Sequence, residues 1–266
     1  MAARVPGVDV SKHQAQIDWP AVRGAGFAFC YVKATEGTGY VSPTLDEQVA
    51  GARGAGVVTG LYHFARPDTN GPQQEAADFA AQLARLGAAG QGNLPPCLDV
   101  EKDAPNLGQW VKGFIDAIRG HTGRNEVVVY ANSSWLNEKL DPNSWVDPGV
   151  MLWVAHFGAP PGEPGFKSDR VVMHQYADDG QVAGLPGKAD LDVSMVELPL
   201  LTGAGAPAAA PNAQPTPPRQ PYVVQPGDTL SEVGARFGID QSRIAQANGI
   251  ADPDLIYVGQ VLQLPA

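Results

Sequence analysis

The sequence predicts an α/β chain: an irregular (β/α) barrel with helices missing in its last third, followed by a small βααβ domain. Three observations carry this. Eight apolar runs of strand length recur through residues 1–201, with amphipathic helical patterns between the early ones. Residues 202–221 hold six prolines in twenty positions and otherwise mostly alanine and small polar residues, so they cannot bury a core. The last stretch, 222–266, packs strand and helix signals into about 45 residues. The expected organisation is a large domain at 1–201, a linker at 202–221 reaching up to about 60 Å as polyproline, and a small domain at 222–266.

The strand runs are Gly7–Val10, Phe27–Lys33, Val57–Phe64, Pro96–Glu101, Val127–Ala131, Met151–His156, Val171–Tyr176 and Ala189–Val193. Helical spacing follows several of them. Thr44–Ala55 repeats Leu45, Val49 and Ala52; Gln73–Leu86 repeats Ala76, Phe79, Ala80 and Leu83; Leu107–Arg119 carries Trp110, Val111, Phe114, Ile115 and Ile118. The pattern then decays. Residues 157–169 are rich in Gly and Pro, and another Gly-rich loop follows the seventh run, so no crossover helix is expected there.

Composition narrows the function classes. Net charge is −10, and each domain is acidic on its own, so nucleic acid is a poor partner and so is any anionic wall polymer. No apolar run approaches the ~18 residues of a membrane helix, and the N-terminal residues lack the apolar core of a signal peptide. Cys30 and Cys97 sit in strand runs and read as buried small hydrophobes. The five histidines are dispersed, so no metal or other cofactor is expected. There is no Gly-x-Ser-x-Gly elbow and no His-Glu-x-x-His zinc helix.

The polar residues concentrate at the C-terminal ends of the strand runs: Asp9, Lys33, Glu36, His63, Asp99, Glu101, Tyr130, His156, Gln175 and Tyr176, with Asp190 and Asp192 in the eighth. In a β/α barrel those ends share one mouth. Asp99 and Glu101 stand two apart, so a strand would place both on one face with Cα atoms roughly 6.5–7 Å apart. Carboxyls so close disfavour double ionisation, and one should hold its proton near neutral pH. A proton donor beside an ionised partner suits glycosidic bond cleavage. Tyr62, Tyr130 and Trp153 accompany the acids and read as sugar-stacking faces, whereas Phe64 and Phe157 stay open between core and site.

At this point a family resemblance becomes specific. Gly-Val-Asp-Val-Ser (7–11), Val-Lys-Ala-Thr-Glu-Gly (32–37), Gly-Leu-Tyr-His-Phe (60–64), Leu-Asp-Val-Glu (98–101), Leu-Trp-Val-Ala-His-Phe (152–157), His-Gln-Tyr (174–176) and Ala-Asp-Leu-Asp-Val (189–193) resemble, in order, the family 25 glycoside hydrolases, the Chalaropsis-type lysozymes. The resemblance implies cleavage of the β-1,4 bond between N-acetylmuramic acid and N-acetylglucosamine. It makes Glu101 the general acid, Asp99 its partner, and Asp9 and Asp190 further floor carboxylates. Lys33, Glu36, Tyr62, Tyr130, Trp153 and Gln175 match groove positions, with His63, Tyr176 and Asp192 grouped beside them. Asp192 departs from the family, which usually has Asn, and Lys188 or Lys33 is the expected offset for its charge. A chitinase of the Asp-x-Asp-x-Glu type fits less well, because position 97 is Cys.

In the small domain, Pro-Gly-Asp-Thr-Leu (226–230), Arg-Phe-Gly-Ile (236–239), Ala-Asn-Gly-Ile (247–250) and Val-Gly-Gln-Val-Leu (258–262) resemble the lysin motif, LysM. Expected elements are a strand, helices at Glu232–Phe237 and Ser242–Asn248, and a strand within Leu255–Leu264. Asp228 or Thr229 is the expected cap of the first helix. The resemblance places glycan contacts at Gly227, Asp228, Thr229, Leu230, Asn248, Ile250 and Ile256. The expected partner is bacterial peptidoglycan, met by a monomer. The expected setting is that of a bacteriophage endolysin waiting in the host cytoplasm for a membrane pore, with a bacterial autolysin as the alternative.

Overall fold

The computed structural model describes residues 4–145, 147–203, 220–225, 228–237, 239–241, 244–245, 248, 250, 256 and 261–264. The chain forms two compact units, Met1–Pro207 and Ala208–Ala266. Of the expected linker, 204–219 lie outside the described residues, Thr202 closes a short helix, and Gln220 and Pro221 already belong to a strand.

The larger unit runs β1 (Val5–Val10), α1 (Trp19–Gly24), β2 (Phe29–Glu36), β3 (Tyr40–Val41), α2 (Leu45–Gly54), β4 (Val58–Phe64), α3 (Pro72–Arg85), β5 (Cys97–Asp99), α4 (Leu107–Thr122), β6 (Val127–Asn132), α5 (Ser133–Glu138), β7 (Val150–Ala155), β8 (Val171–Gly180), β9 (Ala189–Ser194) and α6 (Leu198–Thr202). Eight strands close into a barrel in the order β1-β9-β8-β7-β6-β5-β4-β2, with β2 pairing back to β1 and the two-residue β3 appended to β2. No helix lies between β7 and β9 among the described residues. Three short helices escaped the periodicity reading, α1, α5 and the five-residue α6. α1 is started by Asp18, whose side chain accepts from the Ala21 amide, and α5 by Asn132, which accepts from the Trp135 amide. Both have six residues, too few to display a helical repeat.

The period of two along each strand divides the core. Outward residues such as Val8, Val32, Leu61, Leu98, Val129 and Leu152 pack beneath α2, α3 and α4. Inward residues Phe29, Tyr31, Tyr62, Cys97, Val128, Tyr130, Trp153 and Met173 fill the barrel. Two glycines make room for that filling. A Cβ on Gly7 would stand 2.2 Å from the Phe29 ring, and one on Gly60 would stand 2.4 Å from Tyr31.

One feature of the closure differs from a regular barrel. Strands β1, β2 and β4–β8 are parallel, but β9 runs antiparallel to both β8 and β1. The physical reason is the connection. Only residues 181–188 separate β8 from β9, and a parallel return needs a crossover of a dozen or more. The C-terminal end of β9 therefore points away from the mouth. Asp190 still reaches the mouth, because it sits near the start of β9, in register with Asp9 near the end of β1.

Candidate active site

A cleft of about 760 Å³ opens at the end of the barrel where the parallel strands finish. Six carboxylates line it, Asp9, Glu36, Asp99, Glu101, Asp178 and Asp190, and four of them form the floor. Asp9 and Asp99 are buried, Asp190 is half-buried, and Glu101 is exposed, two residues beyond the end of β5. A chain of hydrogen bonds crosses the floor. The Tyr130 hydroxyl donates to Gln175 Oε1 at 2.7 Å, and Gln175 Nε2 donates to Asp9 Oδ2 at 2.6 Å. Trp153 stacks on Tyr31 with ring centroids 5.0 Å apart and meets Tyr130 edge-on at 4.8 Å.

The floor is electrostatically strained. Burial first, and then the charge of Glu101 and of Asp9, push the Asp99 carboxyl well above the usual range, and its hydrogen bond to Glu101 acts the same way. Burial and the surrounding acids thus favour the protonated form of Asp99. Asp9 is raised mainly by burial and by Asp190. Asp190 is pushed up to about 6 by burial, Asp178 and Glu101. Burial and the same carboxylates keep the Tyr62 and Tyr130 hydroxyls protonated. On one wall, Lys33 Nζ sits 2.7 Å from Glu36 and 4.5 Å over the Phe64 ring, and Arg66 reaches Glu36 at 3.4 Å.

The alternation of each strand decides which expected site residues reach the cleft. Asp9, Lys33, Glu36, Tyr62, Asp99, Glu101, Tyr130, Trp153, Gln175 and Asp190 line it. His63 does not. Tyr62 faces inward, so its neighbour faces outward, and His63 is wholly buried between β4 and the helices, against the rings of Phe79 and Phe114. There Nδ1 meets Thr35 Oγ1 at 2.8 Å and Nε2 meets Glu75 Oε2 at 2.7 Å. Tyr176 also lies outside the lining, next to the inward Gln175 and edge-on to the outward His174. Asp192 points inward but stays beneath the floor, fully buried, with Trp153 Nε1 donating to Oδ1 at 3.0 Å. Neither expected cation offsets it: Lys33 pairs with Glu36, and Lys188 makes no described ion pair.

The cleft also gains residues that the sequence reading passed over. Asn132 lies on the same strand face as Tyr130, a position that alternation would have found. Phe64 and Phe157, left open above, both line the cleft, and Phe157 is 48% exposed. Lys12 and His13 come from the segment beyond β1, Tyr40 from the two-residue β3 appended to β2, and Asp178 from the extension of β8 past its bulge. No spacing rule marks these. Among the described residues no group of three or more His, Cys, Asp or Glu side chains could hold a metal ion.

Residues 8–185 match the model of the glycosyl hydrolases family 25. The chain belongs to that family. It is 32% identical over 198 residues to lysozyme M1 of Streptomyces globisporus, covering 70% of this chain and 66% of the relative. It thus spans just under two thirds of that protein's length. It is 31% identical over 173 residues to the N,O-diacetylmuramidase of Chalaropsis sp, covering 59% of this chain and 81% of the relative. The crystal structure of the bacterial lysozyme from Streptomyces coelicolor superposes with a TM-score of 0.65 at 30% identity, covering 76% of this chain and 97% of that one.

The family 25 unit is followed by a LysM domain, matched over residues 222–265. Its β10 (Gln220–Val223) pairs antiparallel with β11 (Val261–Leu264), and α7 (Leu230–Phe237) lies between them in sequence. Of the expected second helix, Ile244, Ala245 and Asn248 are among the described residues; Ile244 and Ala245 are helical, as is Gln241 just before the expected start, and Asn248 lies in a turn. Thr229 and Glu232 form a capping box: Thr229 Oγ1 accepts from the Glu232 amide at 3.2 Å, and Glu232 Oε2 accepts from the Thr229 amide at 3.1 Å. Asp228 instead ties the chain together, accepting from the Gln225 amide at 2.7 Å and from the Tyr222 hydroxyl at 2.5 Å. The expected glycan contacts divide accordingly. Leu230 is buried in the small core with Val224, Val233, Ile244 and Leu262, because it opens the apolar face of α7, so its side chain is not a surface contact. Ile250 and Ile256 are partly buried against the same core. Asn248 Nδ2 donates to the Ile244 carbonyl at 2.7 Å, and Gly227 lies outside the described residues.

Proposed function

We propose that this chain is a peptidoglycan N-acetylmuramidase, a lysozyme that hydrolyses the β-1,4 bond between N-acetylmuramic acid and N-acetylglucosamine. The observation that carries the reading is the Asp99–Glu101 pair: a buried carboxyl whose protonated form is favoured, beside an exposed one, both lining the cleft. The family resemblance implies retention of configuration, and carboxyls this near each other suit it better than inversion, which places a water between them.

Glu101, on the open side, protonates the leaving glycosidic oxygen. The 2-acetamido oxygen of the substrate attacks the anomeric carbon while Asp99 accepts a hydrogen bond from the acetamide N–H. That N–H stabilises Asp99 as the anion, so the proton it holds at rest passes to Glu101 when substrate binds. After departure of the leaving group, Glu101 takes a proton from the attacking water. Tyr62, Tyr130 and Trp153 offer faces and hydroxyls to the sugars, and Asp9 and Asp190 set the charge of the floor.

The LysM domain binds N-acetylglucosamine-containing chains and keeps the enzyme at the wall through effective concentration. The chain acts as a monomer. The setting we propose is host lysis by a bacteriophage endolysin. The pairing of hydrolase and wall-binding domain supports it and serves an autolysin equally. Expressed alone in a susceptible host, an endolysin leaves the culture intact until the membrane is permeabilised, whereas lysis without permeabilisation favours the autolysin.

The site assignment is tested by Glu101→Gln. It should lower lysis of purified walls by roughly 10²–10⁴-fold, while the variant still pellets with walls. Full activity in that variant contradicts the assignment.

A further inference from the structure

Asp192 is fully buried beneath the cleft floor. One oxygen, Oδ1, accepts from Trp153 Nε1, and the other, Oδ2, is buried without a partner. The polar side chain within hydrogen-bonding reach is Asp9, itself a carboxyl. Two carboxylates side by side, one of them fully buried, are two acceptors with nothing to donate between them, which is costly unless one carries a proton.

The neighbours decide which one. The Tyr130 hydroxyl donates to Gln175 Oε1, which turns Gln175 Nε2 towards Asp9 and makes Asp9 the acceptor. Asp9 also opens on the cleft, whereas Asp192 does not. The charged groups acting on Asp192 are Asp9 from β1 and Asp190 from its own strand, both acids. The other titratable groups around it are Cys30 and Tyr31 of β2, Cys97 of β5, Tyr130 of β6 and Tyr176 of β8, all pushed towards their protonated forms. Burial, then Asp9 and Asp190, hold the Asp192 carboxyl well above the usual range.

We propose that Asp192 is a positioning residue of the family 25 site, held as a neutral carboxylic acid whose hydroxyl donates to Asp9 while its carbonyl oxygen accepts from Trp153. It fixes Asp9 as an acceptor facing the cleft and spares the floor a further negative charge. It also links Asp9 to Trp153, so that the floor acid and the sugar-facing indole share one brace. The catalytic part of this inference rests on the hydrolase reading above; the protonation state does not.

Two measurements test it on the full chain. The first needs no substrate: an infrared difference spectrum, wild type minus Asp192→Asn, at pH 7. A protonated-carboxyl carbonyl band is expected; a carboxylate pair of bands in its place overturns the proposal. The second compares kcat/KM on soluble wall fragments for Asp192→Asn and Asp192→Ala, both checked for folding by thermal melting. Asn keeps a donor for Asp9 and an acceptor for Trp153, so it should exceed Ala by about 10-fold, the worth of one hydrogen bond to a charged group. Equal values for folded Asn and Ala variants overturn the positioning role. If neither variant nor wild type cleaves wall glycan, the hydrolase reading fails while the infrared result still stands.

Discussion

Two buried carboxyl groups on opposite sides of the barrel wall are treated in opposite ways. Glu75, outside, meets His63 Nε2 at 2.7 Å and accepts the Arg66 amide at 3.1 and 3.2 Å. Asp192, inside, is equally buried, yet a single indole N–H is its only described donor, and Asp99 nearby has an orphaned Oδ1. The outer carboxyl is wrapped in donors and joins α3 to β4 and to the segment carrying Arg66. The inner ones are left short of donors and crowded by acids, so their protonated forms are favoured: Asp99 at the cleft, within reach of substrate, and Asp192 beneath the floor as a brace. A carboxyl kept as an acceptor and one pushed towards its protonated form are thus told apart by their hydrogen-bond partners, not by depth.

The contrast can be broken from the outside first. Glu75→Ala leaves His63 buried without its partner, and loss of one member of a buried pair costs roughly 3–5 kcal/mol. The melting temperature of the larger unit should fall by about 10 °C, measured by circular dichroism, with wall lysis at low temperature largely kept. On the inside the signs reverse. Asp99→Asn should lower wall lysis by about 100-fold yet raise the melting temperature at pH 7 by about 2–4 °C, because it removes a buried acid whose ionisation opposes folding. A variant that is both inactive and less stable would contradict the strained floor.

A smaller effect appears in pH dependence. Asp190 is pushed up to about 6 in the fold against an ordinary value of 3.8. Between those values the folded chain binds more protons than the unfolded one, so this group makes stability fall as pH rises. Asp9, Asp99 and Asp192, all raised, act in the same direction. Asp147 has the opposite sign. Its hydrogen bonds with Arg119 bring it down to about 2, and its contribution is present above 3.8 and lost as pH falls through 2. The melting temperature should therefore be higher at pH 5 than at pH 7.5 and should drop below about pH 3. The smallest change lies in the LysM unit, where Thr229→Ala removes a cap and should cost that unit about 1 kcal/mol, read from its denaturation midpoint.

Much of this was legible in the sequence. The eight strand runs and three long helices follow from apolar spacing, and the carboxylates Asp9, Asp99, Glu101 and Asp190 announce themselves at strand ends. What was not legible is directional. His63 stands beside Tyr62 in the same motif, and only the inward or outward sense of β4 sends one to the cleft and the other to Glu75. The antiparallel sense of β9 follows from the short 181–188 loop, which the spacing of runs alone does not reveal. Lys12, His13 and Tyr40 reach the cleft by chain path, so no residue pattern marks them. The proton on Asp99 is a matter of relative burial: a strand places both acids on one face, but only the fold encloses one and exposes the other.

Purified peptidoglycan digested with the full chain, reduced with borohydride and analysed by mass spectrometry should show muramitol at the new ends. Glucosaminitol ends, anhydro-muramyl ends or undigested glycan would contradict the account.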